Sequence, residues 1–170
     1  WAAQWKAGKV KPQPLQGKTV ALIFHKPSLR TRQSFETAVV RFGGHPMFIT
    51  DAEIQLGVRE SIADVARVMS RYVALIVVRT YKQAHVEELA DHAPVPVINA
   101  LTDAHHPCQV MGDIMTAQEH LGRIDGLTVA FLGDGNNVFH SWADLAARLP
   151  MDLRLATSPQ TLPDATVVAD

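Results

Sequence analysis

The sequence has 170 residues, is 47% hydrophobic and 19% charged, and carries a net charge of -1 with a pI near 6.8. A chain of this size buries one good core and part of a second, and its balanced charge leaves no surplus of cations to neutralise a nucleic-acid backbone or hold an anionic membrane. The longest apolar runs, Val20–Phe24 and Leu75–Val78, fall far short of the roughly 20 residues a membrane helix needs, so neither nucleic acid nor membrane is an expected partner.

The chain opens with Trp1 in place of Met, and Trp1–Pro14 is amphipathic and partly basic without the apolar centre of a secretion signal. It reads as the interior of a longer gene product. Apolar runs then alternate with helix-periodic stretches: a strand Thr19–Phe24, a helix from about Thr31 to Phe42, a strand Pro46–Thr50 and a helix from about Ser61 to Tyr72. A strand Ala74–Val78, a helix from about Ala84 to His92, a strand Val95–Asn99 and a long helix from about Pro107 to Leu121 follow. Such alternation predicts an α/β fold, a doubly wound parallel sheet. In the first of these helices Phe35, Ala38, Val39 and Phe42 form one apolar stripe, and Gly43-Gly44 ends it where positive φ is needed.

Gly122–Gly126 interrupts the pattern, and a fresh unit begins with strand Leu127–Leu132, helix Asn137–Leu149 and strand Leu153–Thr157. The expected organisation is therefore a first domain over 1–121, ending in an interdomain helix, and the start of a second α/β domain over 122–170 that is too short to complete a doubly wound sheet.

Pro27-Ser28-Leu29-Arg30-Thr31-Arg32 lies between a strand and a helix, so its N–H groups and the positive end of the helix dipole form an anion site. Its hydroxyls and guanidiniums suit phosphate oxygens. The same residues also read as a capped helix start, with Ser28 or Thr31 as the cap. Arg30 and Arg32 point to different sides of a turn, so at most one faces a ligand squarely.

His105-His106-Pro107-Cys108-Gln109 occupies another strand-to-helix transition, again at the edge where α/β sheets bind ligands. His106 reads equally as a donor to a ligand oxygen or as a helix-start residue. A His-His pair and one Cys supply too few convergent ligands for zinc, so no metal is expected. Cys108 reads as buried filler, with no third group to orient a Cys–His pair. As the lone cysteine it can form no intrachain disulfide, which suits a reducing compartment, and the cytoplasm is the expected location. Arg79 ends a strand and by itself reads as a surface residue. Gln55 lies in the polar segment Asp51–Gly57, of a kind that often reaches a neighbouring subunit.

Gly133-Asp134-Gly135-Asn136-Asn137 follows a strand and precedes a helix. The dinucleotide fingerprint fails here, because Val138 stands at the third glycine position and no acidic residue ends the next strand, so no nicotinamide cofactor is expected. Asn136 and Asn137 either cap the helix or present an amide to a polar ligand.

Ser28-Leu29-Arg30-Thr31-Arg32, Gln55-Leu56-Gly57, Arg79, His106-Pro107-Cys108-Gln109 and Asp134-Gly135-Asn136-Asn137 resemble, in order, the motifs of ornithine carbamoyltransferases. The Ser-x-Arg-Thr-Arg box marks transcarbamylases generally, and the His-Pro-Cys-Gln and Asp-Gly-Asn-Asn boxes point to ornithine over aspartate enzymes. The resemblance implies that carbamoyl phosphate and L-ornithine are the ligands, with citrulline and phosphate as products and no cofactor. It implies that Ser28, Leu29, Arg30, Thr31 and Arg32 hold the phosphate, with Leu29, which departs from the commoner Thr or Met, binding through its N–H. By the same resemblance, Gln55 would be lent to the site by the adjacent subunit of a homotrimer, Arg79, His106 and Gln109 would address the carbamoyl group, with Arg79 and His106 as the catalytic pair, and Asn137 would take the amino-acid end of ornithine. The family's downstream Asp-x-x-x-Ser-Met-Gly and His-Cys-Leu-Pro motifs are absent, so the chain alone is expected to be inactive. Rival readings are a transcarbamylase with aspartate, putrescine or an acylated ornithine as acceptor, and a non-catalytic phosphate-binding remnant.

Overall fold

The structure, a computed structural model, describes residues 2–168. In chain order the elements are α1 Ala2–Lys6, β1 Thr19–Phe24, α2 Arg30–Arg41, β2 His45–Thr50, α3 Asp51–Ile54, α4 Ile62–Met69, β3 Leu75–Arg79, α5 Gln83–His92, β4 Val97–Leu101, α6 Pro107–Leu121, β5 Thr128–Leu132, α7 Asn137–Ala146, β6 Asp152–Ala156 and α8 Ala165–Val168. By its contacts the chain divides into two compact units, Trp1–Ala100 and Leu101–Asp170. Helix α6 is thereby grouped with the later residues, ahead of the division at Leu121 expected from sequence.

The first unit is built on a parallel sheet of four strands in the order β2-β1-β3-β4. Strand β1 is central, pairing with β2 from Thr19↔His45 to Phe24↔Thr50 and with β3 from Val20↔Leu75 to Phe24↔Arg79. Helices cover both faces, which is why β1 reads as an unbroken apolar run. Val20, Leu22 and Phe24 pack on one face with Val39 and Phe35 of α2. Ala21 and Ile23 pack on the other with Ile62, Val65 and Ala66 of α4 and Val86 and Leu89 of α5. Leu22, Ile23, Ile76 and Leu89 are completely buried, each worth about 1.5–3 kcal/mol relative to exposure. Helix α2 ends at Arg41 with Phe42 as its C-cap, and Gly43 with φ 82° turns the chain into β2.

Local expectations change at several points, α7 among them, which stops at Ala146 and not Leu149. The segment after β2, read from sequence as an irregular polar loop, begins with the short helix α3, whose start is held by the Glu53 carboxylate accepting the Thr50 N–H at 2.6 Å and the Thr50 hydroxyl at 2.7 Å. Strand β4 runs two residues later than expected, because Pro96 contributes only its carbonyl, to the Ile76 N–H, and pairing continues into the buried Ala100 and Leu101. Helix α4 stops at Met69, the next residues closing i→i−3 bonds, Arg71 N to Val68 O and Tyr72 N to Met69 O.

The second unit contains a two-stranded parallel sheet, β5-β6, registered from Thr128↔Asp152 to Leu132↔Ala156. Its core joins Val110 and Ile114 of α6 to Trp142 of α7, with Val129, Phe131 and Leu153 packed against them. No helix among the described residues is long and apolar enough to cross a membrane.

Candidate active site

From β1 the chain moves to one side to make β2 and then crosses back to make β3. The loops leaving β1 and β3 at their carboxyl ends therefore diverge, leaving the crevice in which open α/β sheets bind ligands. Ser28–Arg32 leaves β1 here and Arg79 ends β3, and the His25 N–H donates to the Arg79 carbonyl at 2.9 Å, carrying the ladder one residue further.

Helix α2 starts at Arg30 with Leu29 in the N-cap position and no side chain capping it; neither Ser28 nor Thr31 plays the part a structural cap requires. Its first N–H groups and the positive end of its dipole therefore face the crevice without a side-chain acceptor, as an anion site requires. Arg79 donates from Nη1 to Thr31 Oγ1 at 3.3 Å. Its Nε is buried with no hydrogen-bond partner, and burial lowers the guanidinium pKa, although an arginine stays protonated throughout the physiological range. A cation held in this way, with one buried donor unsatisfied, is matched to an anionic or strongly polar ligand.

The two arginines of the motif separate as the helical turn demands. Arg32 is engaged on the protein, its Nε 3.0 Å from Glu36 Oε1 and its guanidinium carbon 3.5 Å from the centre of the Phe48 ring. Arg30 is exposed, as is Leu29, while Ser28 is half-buried. The exposed side chain of Arg30, the half-buried Ser28 and Thr31 and the main chain of 29–32 are thus the groups left for a ligand.

Gln55 is the C-cap of α3 and the only non-glycine among the described residues with positive φ, 47°. Its N–H is bonded to Asp51 O at 2.8 Å, and its carbonyl accepts from the N–H groups of Val58 and Arg59 at 2.8 and 3.0 Å. The backbone is fixed and the residue is exposed, at the cost of a conformation that L side chains rarely adopt.

In the second unit His106 is the N-cap of α6 and Pro107 its first residue. The His106 N–H donates to Ser141 Oγ on α7 at 2.8 Å. Gln109, on the first turn of α6, is exposed and donates from Nε2 to Asp113 Oδ1 at 2.8 Å. The two asparagines divide their roles. Asn136 caps α7, its Oδ1 accepting from the N–H groups of Val138 and Phe139, and Asn137 donates from Nδ2 to the Thr102 carbonyl at 2.7 Å. Burial pushes the Cys108 thiol up, away from the thiolate a nucleophile requires. Among the described residues no three His, Cys, Asp or Glu side chains are grouped to hold a metal ion.

The structure thus brings Ser28–Arg32 and Arg79 together in the first unit, and His106 and Asn137 onto one turn in the second. Sequence reasoning missed Ser141, His140 and Asp144 of α7 and Thr102 of the preceding turn; the available signal was the polar spacing 137, 140, 141, 144 on one helix face.

A family model described as aspartate/ornithine carbamoyltransferase, carbamoyl-P binding domain, matches residues 1–119, and one described as aspartate/ornithine carbamoyltransferase, Asp/Orn binding domain, matches residues 125–170. The ornithine carbamoyltransferase of Carboxydothermus hydrogenoformans is 54% identical over 153 residues, covering 90% of this chain and 49% of the relative. That of Methanocaldococcus jannaschii is 51% identical over 154 residues, 91% of this chain and 50% of the relative. Among solved structures, ornithine carbamoyltransferase from Pyrococcus furiosus superposes with a TM-score of 0.94 at 45% identity, over 99% of this chain and 54% of that one. The chain spans about half the length of the curated relatives it matches.

Proposed function

Because the chain belongs to the aspartate/ornithine carbamoyltransferase family, we propose that it is the carbamoyl-phosphate-binding portion of an ornithine carbamoyltransferase, with residues 1–121 forming that domain and 122–170 beginning the ornithine-binding one. The enzyme transfers the carbamoyl group of carbamoyl phosphate to the δ-amine of L-ornithine, giving citrulline and phosphate. Ornithine is favoured over other acceptors by the names of the relatives.

The observation that carries the reading is the Arg79–Thr31 hydrogen bond beside the uncapped start of α2, with Arg79 Nε buried and unpartnered. On this reading the N–H groups and hydroxyls of Ser28–Arg32, with the exposed Arg30 guanidinium, bind the phosphate, and Arg32 contributes its N–H while its side chain stays on Glu36 and Phe48. The neutral δ-amine attacks the carbamoyl carbon. Negative charge collects on the carbonyl oxygen of the tetrahedral intermediate, where Arg79 and Thr31 donate, and the C–O bond to phosphate then breaks with its electron pair leaving on phosphate, which takes up the proton that the attacking nitrogen loses. A preorganised donor to such an oxyanion is worth about 3–4 kcal/mol. In the second unit, His106 and Gln109 are assigned to the carbamoyl group and Asn137 to ornithine. The working assembly is a cytoplasmic homotrimer in which the exposed Gln55, on its fixed turn, completes a neighbour's site.

Calorimetric titration of the 170-residue chain with carbamoyl phosphate, or a stable phosphonate analogue, tests this, with Arg30→Ala as control. Saturable binding that the substitution removes is the expected result. A folded chain that takes up neither ligand overturns it and leaves the motif as scaffold.

A further inference from the structure

Helix α7 carries an apolar stripe, Val138, Trp142 and Leu145, that enters the core of the second unit. Asn137, His140, Ser141 and Asp144, at spacings of i, i+3, i+4 and i+7, form one polar face, and all four address the single turn Thr102–His106. Asn137 Nδ2 donates to the Thr102 carbonyl at 2.7 Å. His140 Nδ1 lies 2.9 Å from the Ala104 carbonyl, Ser141 Oγ accepts the His106 N–H at 2.8 Å, and Asp144 Oδ2 is 3.0 Å from His105 Nδ1.

The turn is already closed on itself, by Thr102 N to His105 O at 2.8 Å and His105 N to Thr102 Oγ1 at 3.0 Å. Closure alone therefore leaves the α7 contacts unexplained. His140 and Ser141 are buried polar residues, 9% and 5% exposed, where apolar side chains of similar volume would serve packing as well. Their polar atoms instead select one orientation of the turn. Because a carbonyl only accepts, His140 Nδ1 carries the ring proton, and Nε2 accepts the Asp164 N–H at 3.2 Å. The imidazole thus has a specified tautomer and joins the turn to the 161–164 segment.

We propose that His140 and Ser141 are positioning residues for His106: through the Ala104 carbonyl and the His106 N–H they set the direction in which the His106 imidazole leaves the backbone. The inference rests on the reading that His106 donates to the carbamoyl group. Displacement of a donor by about 1 Å is enough to cost on the order of 100-fold in rate.

The test uses conservative pairs in the 170-residue chain. Thr at 141 keeps the hydroxyl that Ala removes. At 140, the amide nitrogen of Asn takes the place of Nδ1 and keeps the donor to Ala104, whereas the amide of Gln reaches only the place of Nε2. The ring signals of His106 are followed by NMR without ligand, alongside thermal stability and the affinity for carbamoyl phosphate. Ser141→Ala and His140→Gln should shift or broaden those signals and weaken carbamoyl phosphate binding about tenfold, the order of one lost hydrogen bond. Ser141→Thr and His140→Asn should retain both. A purely structural role predicts lower stability in all four variants with the His106 ring signals at their wild-type positions, and that result overturns the proposal. If the wild-type chain fails to bind carbamoyl phosphate, the functional reading fails, while the ligand-free ring signals still decide whether α7 positions His106.

Discussion

Arg79, the last residue of β3, donates from Nη1 to Thr31 Oγ1 in the first turn of α2, 3.3 Å away and 48 residues earlier in the chain. The bond spans the point where the order of the strands reverses, and it aligns a half-buried cation with an uncapped helix start. Neither residue alone makes a site, since an arginine at a strand end and a threonine at a helix start are both ordinary.

Arg79→Ala in a version of the protein extended to the full length of its relatives should lower kcat at least about 100-fold, the range seen when an oxyanion donor is removed. Steady-state kinetics with both substrates measure it, and a loss below about threefold rules out the assigned role. Arg79→Lys should rescue poorly, because an ammonium cannot serve Thr31 and a ligand with the same planar geometry.

Gln55→Gly should stabilise the chain by about 0.5–1 kcal/mol, because glycine adopts a positive φ without the Cβ penalty that Gln55 bears at φ 47°. Urea unfolding of the two chains shows the gain. Unchanged or lower stability means that the side chain contributes to folding as well as presenting its amide.

His25 provides a pH dependence. Its side chain is 5% exposed and Nε2 has no partner, with Asp51 Oδ1 of α3 3.6 Å and Thr80 Oγ1 3.5 Å from Nδ1. Burial depresses its pKa, Asp51 opposes that, and His85 on α5 reinforces it. The unfolded chain then binds a proton at a higher pH than the folded one. Stability is full above the unfolded value of 6.5 and falls as pH drops through the folded value. Denaturation midpoints measured from pH 7.5 downward should show this decline beginning below about 6.5, and His25→Gln should flatten it. An unaltered slope in the variant assigns the acid sensitivity to other groups, His85 first, since burial lowers its pKa too.

Gly135→Ala should destabilise the chain by about 1–3 kcal/mol. A Cβ there would overlap the Pro163 nitrogen and meet its Cα and Cδ at 2.6 Å, and the backbone cannot yield freely because the Gly135 N–H is bonded to Thr161 O at 2.8 Å. Thermal unfolding reads the loss directly. A variant as stable as the parent shows that the 161–163 segment can move aside.

Cys108 should react slowly with iodoacetamide at pH 7.5 in the native chain and rapidly once the chain is unfolded, since burial raises its thiol pKa. Fast native alkylation would reveal an opening of the α6 start that the static structure does not contain.

Features that depend on near neighbours are legible in the residues alone. The period of apolar residues places the six strands and the helices between them to within a few residues, and the double coverage of β1 is visible in its unbroken apolar run. The chain also carries its motifs in legible order, because each is a short run of distinctive residue types. Local signals were missed where they are short: Thr50 and Glu53 form a capping box that turns part of a loop into α3. The partner that each polar group takes emerges with the folded chain. Folding placed Arg32 on Glu36 and Phe48 and left Arg30 exposed, gave the Asn137 amide to Thr102, and turned a polar stripe of α7 onto the turn before His106. The reason is physical: periodicity is written in each segment, whereas a hydrogen bond between residues 35 or 48 positions apart exists only once the chain has folded and excluded the alternatives.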